Sequence, residues 1–169
     1  MVALPLSRHL LPDTDPLHIY LNDHLAGSTA GLELFRRATS AASGERRTVL
    51  ERLTREVSQD REALLAIMAA LDVPVRHYKV VAGWLSEKIA RVKPNGHVLS
   101  RSPLSDLVEI EALLLGVRGK ASGWQALKVL AARDDRLDET RLDELIARAD
   151  AQSGTLESLR RQSAVAVFG

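Results

Sequence analysis

Polar side chains at the centre of otherwise apolar helical stripes are the residues of this sequence with the chemistry to form a site. When predicted helices are mapped at about 100° per residue, eight polar residues fall on apolar faces: His24, Ser28, Glu56, Asp60, Glu111, Arg118, Gln152 and Ser153. Burying a carboxylate without a partner carries a large desolvation cost. A carboxylate in such a stripe therefore needs a metal ion, a cationic neighbour or a proton.

The first interpretation of these residues is an iron or manganese site, whose candidate ligands are His24, Glu56, Asp60 and Glu111. Dinuclear carboxylate bundles use one Glu from each of two helices and a Glu-x-x-His pair from each of the other two. Here Gln59 stands where the histidine of the second helix belongs, and Asp150 and Ser153 replace the pair of the fourth helix. Because the ligand pattern is incomplete, we expect no cofactor.

The interpretation that we favour is a metal-free network of salt bridges and hydrogen bonds, with the members His24, Glu56, Asp60, Glu111, Arg118 and Gln152. Arg118 follows Glu111 by one heptad, so its guanidinium is expected to reach Asp60 or Glu56 across a helix pair. It would supply the positive charge that the carboxylates need. In a third interpretation the assignment of residues to helix faces is off by a residue or two, and Glu56 and Arg118 reach solvent.

Four long amphipathic segments must position these residues. We predict helices over 16–43, 45–71 and 103–133, a fourth from 139 past 160, a shorter helix over 75–92 and a loop over 93–101. Asp15-Pro16 and Ser102-Pro103 each place a capping side chain before a proline, which is typical of a helix start, and Gly44 is the predicted end of the first helix. Short connections within each helix pair predict antiparallel hairpins, and the longer middle connection predicts one crossover.

Composition favours a helical domain and argues against several classes of function. The 169 residues are 46% hydrophobic and 27% charged, which suits an arm over 1–14 followed by a single domain over 15–169. A net charge of +1 without a basic stripe argues against nucleic-acid binding. The chain has no cysteine for disulfides or thiolate ligands. No apolar run is long enough for a membrane span, and we expect a cytoplasmic location.

Several stretches of the sequence together resemble a family of uncharacterised actinobacterial proteins. They are HLAGSTAG at 24–31, GWLSEK at 83–88, RSPL at 101–104 and EIEALLLGVRGK at 109–120. The members of that family look like ferritin-superfamily bundles without an assigned activity. The resemblance implies an all-α, ferritin-like antiparallel four-helix bundle with a short extra helix in the crossover between helices 2 and 3. It implies no enzyme, because the ligand pattern is altered at Gln59, Asp150 and Ser153.

We therefore expect a non-catalytic bundle that acts as a structural or protein-interaction module, with a homodimer or an unidentified protein as its partner. Small residues on the first helix, with Leu113 and Leu127 taken as exposed, would form a helix-to-helix interface, or the same stripe would pack under the 75–92 helix. The rival is a metal-binding protein of the ferritin-like oxidase or storage type. A third option is a bundle whose core pocket binds a small apolar ligand.

Overall fold

The computed structural model describes residues 15–76 and 102–169, and all regular secondary structure in these two ranges is helical. The helices are α1 (Pro16–Ala41), α2 (Gly44–Ala70), α3 (Pro103–Ala131) and α4 (Glu139–Phe168). These bounds confirm the all-α prediction and are consistent with a four-helix bundle. The predicted arm, the whole predicted loop and most of the predicted short helix lie outside the described residues.

Side-chain caps fix three of the helix starts. The Asp15 carboxylate accepts the backbone N–H of Leu17 at 2.9 Å, and the Ser102 hydroxyl accepts that of Ser105 at 3.3 Å. Asp138, which the sequence did not single out, caps α4 in the same way. Each cap satisfies a backbone donor that the first helical turn leaves without a partner.

Gly44 was predicted to end the first helix, and this prediction is wrong. Helix α1 already ends at Ala41, and Gly44 is the first residue of α2. Its φ of +55° lies in the left-handed region, where glycine carries little steric cost. Only two residues, 42 and 43, therefore separate α1 from α2.

The buried faces of α2 and α4 follow the predicted periodicity, whereas the face of α3 does not. The buried residues of α3 include Leu107, Ile110, Leu114, Val117, Ala121 and Trp124. The apolar spacing of α3 in the sequence predicts that Leu104, Leu115 and Val129 point inward, yet they are 52%, 66% and 76% exposed. Apolar residues lie on more than one side of α3, so spacing alone does not select the buried side.

The four helices share one core of buried residues, but the size of the contact region differs from one helix pair to the next. Helices α3 and α4 form the most extensive pair, followed by α1 with α2 and by α1 with α3, while α2 and α4 meet over a much smaller region. No helix within the described ranges is both long and apolar enough to cross a membrane.

Candidate functional site

Asp60 of α2 lies at the centre of a charged cluster that joins three helices. Its side chain is 1% exposed. One carboxylate oxygen, Oδ2, contacts the ammonium of Lys120 from α3, and the other, Oδ1, contacts Nη2 of Arg148 from α4. Gln152, one helical turn after Arg148, donates from Nε2 to Asp60 Oδ2 at 3.2 Å. The carboxylate that the sequence placed inside a core stripe is thus neutralised by two cations.

Gln152 connects this centre to a second carboxylate. Its amide oxygen accepts a hydrogen bond from Lys120 Nζ at 2.6 Å, and its amide nitrogen also donates to Glu56 Oε2 at 3.1 Å. Arg52 donates to the other oxygen of Glu56 at 2.9 Å. The amide oxygen therefore faces the cation and the amide nitrogen faces both carboxylates, which is the orientation that the surrounding charges favour.

The cluster contains more positive than negative charge. Three cations, Arg52, Lys120 and Arg148, contact two carboxylates, Asp60 and Glu56. Burial lowers the pKa of Lys120, because the charged form loses hydration; Asp60 partly offsets this effect and Arg148 adds to it. We refer to Arg52, Glu56, Asp60, Lys120, Arg148 and Gln152 as the core network.

The structure brings together three of the six residues predicted for the polar network: Glu56, Asp60 and Gln152. Arg118 lies on the exposed face of α3, and Glu111 is 47% exposed with its nearest cation, Arg160, 3.9 Å away. The cation expected from Arg118 comes instead from Lys120 and Arg148. This difference follows from the phase of α3, whose buried side lies away from the one that the sequence predicted.

His24, the sixth predicted member, lies apart from the core network against α3. An added Cβ at Gly123 would lie 2.9 Å from Cε1 of the His24 ring, so only a glycine allows this close approach. The ring also meets Tyr20 edge to face, with 4.5 Å between centroids. Burial lowers the pKa of His24, and the nearby Asp23 partly opposes this shift.

The four candidate metal ligands do not converge. Among the residues that the structure describes, no three histidine, aspartate or glutamate side chains lie close enough to hold one ion. Glu56 and Asp60 are joined through Gln152, whereas His24 lies against Gly123 and Glu111 lies at the exposed edge of α3. The charge of Asp60 is already matched by Lys120 and Arg148.

A groove of about 1180 Å³ separates α1 from α3. Glycines line both sides, Gly27 and Gly31 on α1 and Gly116 and Gly119 on α3, and a Cβ added at any of the four would meet no described residue within 4 Å. Leu113 and Leu127 also line the groove. They were expected to be exposed, but each is only 2% exposed, so they form part of its buried apolar wall.

Polar side chains also line the groove, among them His24, Lys120 and Trp124. Trp124 is 2% exposed, and its indole Nε1 has no hydrogen-bond partner among the described residues. A buried N–H without an acceptor is uncommon in native proteins and is costly. The spacing of Trp124 in the sequence predicts a packing or interface residue, and nothing in it indicates an unsatisfied donor.

Comparisons of the chain with protein-family models, with curated proteins and with solved structures find no match. The resemblance to actinobacterial ferritin-like proteins therefore stays a prediction. The function has to be argued from the geometry of the core network and of the groove.

Proposed function

We propose that this protein is a non-enzymatic binding protein of ferritin-like topology, which holds a small apolar molecule in the groove between α1 and α3. The observation that carries the proposal is the groove itself, which combines a large apolar wall with a few convergent polar groups. That combination is typical of small-molecule sites. The interaction stripe expected from Leu113 and Leu127 has less support, because both side chains are buried.

The order of contacts within the first helix pair supports an antiparallel hairpin. Thr39 and Thr54 are 3.0 Å apart at their hydroxyl oxygens, and Arg61 donates to the hydroxyl of Thr29 at 3.2 Å. Moving back along α1 thus moves forward along α2. The same order holds between α3 and α4, where Lys128 meets Asp143 and Glu111 meets Arg160.

Contacts between α2 and α3 support a single long crossover. Arg46 lies 3.4 Å from Asp106, and Asp60 contacts Lys120, so both helices advance in the same direction. Two parallel helices that follow one another need a connection returning along the length of the bundle. One crossover between two antiparallel hairpins is the ferritin-like arrangement that the sequence predicted.

The core network supports a binding role without metal chemistry. In dinuclear carboxylate bundles the inward carboxylates ligate metal. In this chain the inward carboxylates Asp60 and Glu56 face Lys120, Arg148 and Arg52, which supply the compensating positive charge. These ion pairs hold α2, α3 and α4 together at the edge of the groove.

The test is whether a neutral apolar probe binds in the groove. The environment-sensitive dye N-phenyl-1-naphthylamine is titrated into the purified protein, and its fluorescence is expected to rise and saturate. Gly31→Leu and Gly119→Leu each place a side chain in open groove space and should weaken binding by about tenfold or more, since a tenfold change corresponds to about 1.4 kcal/mol.

Gly154→Leu is the matched control for these variants. Gly154 is an exposed helical glycine of α4 with no neighbour within 4 Å of an added Cβ, and it does not line the groove. The control should bind the dye as the native protein does. Unchanged binding in both groove variants, or no saturable binding to the native chain, would contradict the proposed function.

A further inference from the structure

We propose that the groove selects an amphipathic anion, a molecule with an apolar chain and one carboxylate head, and that Lys120 and Trp124 bind the head. This inference rests on the proposed function and adds the chemical class of the ligand. It follows from donors at the groove that the described residues leave without acceptors, and from the charge of the core network.

Lys120 has hydrogen-bonding capacity to spare. An ammonium carries three donors, and two are directed to Asp60 Oδ2 and Gln152 Oε1. No third acceptor lies among the described residues, although Lys120 lines the groove. The remaining N–H is therefore free to meet an acceptor that enters from the groove.

The charge balance favours an anion as that acceptor. Lys120 and Arg148 share the single carboxylate of Asp60, while Glu56 is matched by Arg52. One positive charge is thus in excess within a half-buried cluster, where electrostatic interactions are stronger than in water. A carboxylate head would compensate that charge and form a charge-assisted hydrogen bond.

Trp124 supplies the second donor at the same place along α3. It follows Lys120 by four residues, so the two side chains are neighbours on one face of the helix. Its indole N–H lacks an acceptor among the described residues. A carboxylate has two oxygens, and one head group can accept from both the ammonium and the indole.

The body of the ligand has to be apolar, because the rest of the groove wall is. Leu113, Leu127 and Phe35 line it, and the glycines of α1 and α3 leave open space beside them. Small-molecule pockets measure about 300–1,000 Å³, and a groove of about 1180 Å³ is large enough for an alkyl chain.

Charged side chains of both signs line the groove. The acidic ones are Asp23, Asp60, Glu109 and Glu111, and the basic ones are Arg37, Arg61 and Lys120. The lining thus has one more acid than bases, so an anion is favoured only locally, where Lys120 and Arg148 share Asp60. The charge that distinguishes one ligand from another is the excess at Lys120.

The experiment compares head groups on a constant chain. Dodecanoate, dodecanol and dodecylammonium, each below its critical micelle concentration, compete with N-phenyl-1-naphthylamine for the full chain. Dodecanoate should displace the dye at about a tenth of the concentration that dodecanol requires, because a hydrogen bond between charged groups is stronger than one to a neutral hydroxyl. Dodecylammonium should be the weakest competitor.

Lys120→Met is the decisive variant, since it keeps the apolar stem and leaves Asp60 paired with Arg148. It should abolish the preference for dodecanoate while retaining the affinity for dodecanol and for the dye, and Trp124→Phe should reduce that preference in part. Lys128→Met, which removes a surface ion pair of α3, is the control and should change nothing.

Each arm of the experiment tests a different statement. If the dye binds but dodecanoate and dodecanol compete equally, or if Lys120→Met keeps the preference, the head-group inference is overturned and the apolar site stands. If the dye itself does not bind, because the chain's own residues or a second copy fill the groove, the proposed function fails first.

Discussion

At the scale of single residues, substitution of Asp60 is expected to change the free energy of unfolding the most. Its two carboxylate oxygens face different helices, and both cations that it meets are largely removed from water, with Lys120 15% and Arg148 26% exposed. A buried ion pair adds little when compared with an apolar replacement, but removing one partner leaves the other charge without compensation. The network therefore tolerates the loss of a cation far better than the loss of Asp60.

Asp60→Asn is expected to lower the free energy of unfolding by about 3–5 kcal/mol, the usual cost of leaving a buried charge unpaired. Urea denaturation followed by circular dichroism measures the change. Asp143→Asn is the control, because Asp143 is 58% exposed in its pair with Lys128 and such surface pairs contribute about 0–1 kcal/mol. Equal effects of the two substitutions would contradict the role given to Asp60.

The stability of the fold should also depend on pH through His24. Burial lowers the folded-state pKa of His24 below its ordinary value of 6.5, so the unfolded chain binds the proton more readily. The contribution of neutral His24 to stability is therefore complete above pH 6.5 and is lost as the pH falls through the folded-state pKa.

Urea unfolding of the native chain should thus give a falling free energy between pH 7 and pH 5, and His24→Gln should flatten this slope. Asp134 and Glu157, whose pKa arginine partners lower to about 2, contribute mostly below this window, because the unfolded chain protonates them near their ordinary pKa values of 3.8 and 4.5. An identical slope in the variant would exclude His24 as its cause.

At the scale of elements, the helices differ in how well their sequences specify them. The stripes of α2 and α4 carry apolar residues on one side, and spacing alone identified Asp60 and Gln152 as buried. Helix α3 has leucines on several sides, and its buried face was predicted wrongly. For this reason Arg118 was expected as the cation of the network, whereas the structure has Lys120 there. The groove could not be predicted, because it depends on the distance between α1 and α3, which no periodicity encodes.

Two glycines of α3 should respond in opposite ways to the same substitution. Gly119→Ala should raise the free energy of unfolding by about 0.5–1 kcal/mol, the difference in helix propensity, because an added Cβ meets nothing. Gly123→Ala gains the same propensity but pushes against the His24 ring, and overpacking of this kind costs about 1–3 kcal/mol. It should therefore leave the protein less stable than Gly119→Ala.

A double-mutant cycle isolates that contact. In a His24→Ala background the two alanine substitutions should become equivalent, which thermal or urea unfolding of the four variants would show. If Gly123→Ala stays less stable without the His24 ring, the contact with His24 is not the reason.

At the scale of the whole molecule, the dispersed positions of the four candidate ligands lead to a prediction about metal content. Protein purified without chelator or affinity metal, then exposed to Fe(II), Mn(II) and Zn(II), should hold no stoichiometric metal by inductively coupled plasma mass spectrometry. The reason is that Asp60 and Glu56 are matched by cations, while His24 and Glu111 lie elsewhere. Stoichiometric metal that is lost in Glu111→Ala would reinstate the metal-binding alternative.

The unequal packing between helix pairs has a consequence for how the molecule opens. Helices α2 and α4 meet over a small region, and several of their contacts are those of Gln152 and Arg148 with Asp60, Glu56 and Gln59. Segments with few shared contacts can exchange their amide hydrogens as separate cooperative units. We therefore expect the core network to act as a latch that makes the α1–α2 pair and the α3–α4 pair open as one unit.

Native-state hydrogen exchange followed by mass spectrometry can detect this latch. The slowest amides of α2 and α4 should share one opening free energy in the native protein. In Asp60→Asn the amides of the α1–α2 hairpin should exchange sooner, while those of α3 and α4, which form the most extensive pair, keep more of their protection. Equal loss of protection in all four helices would mean that apolar packing alone couples the hairpins, and that the buried charges serve the groove rather than the cooperativity of the fold.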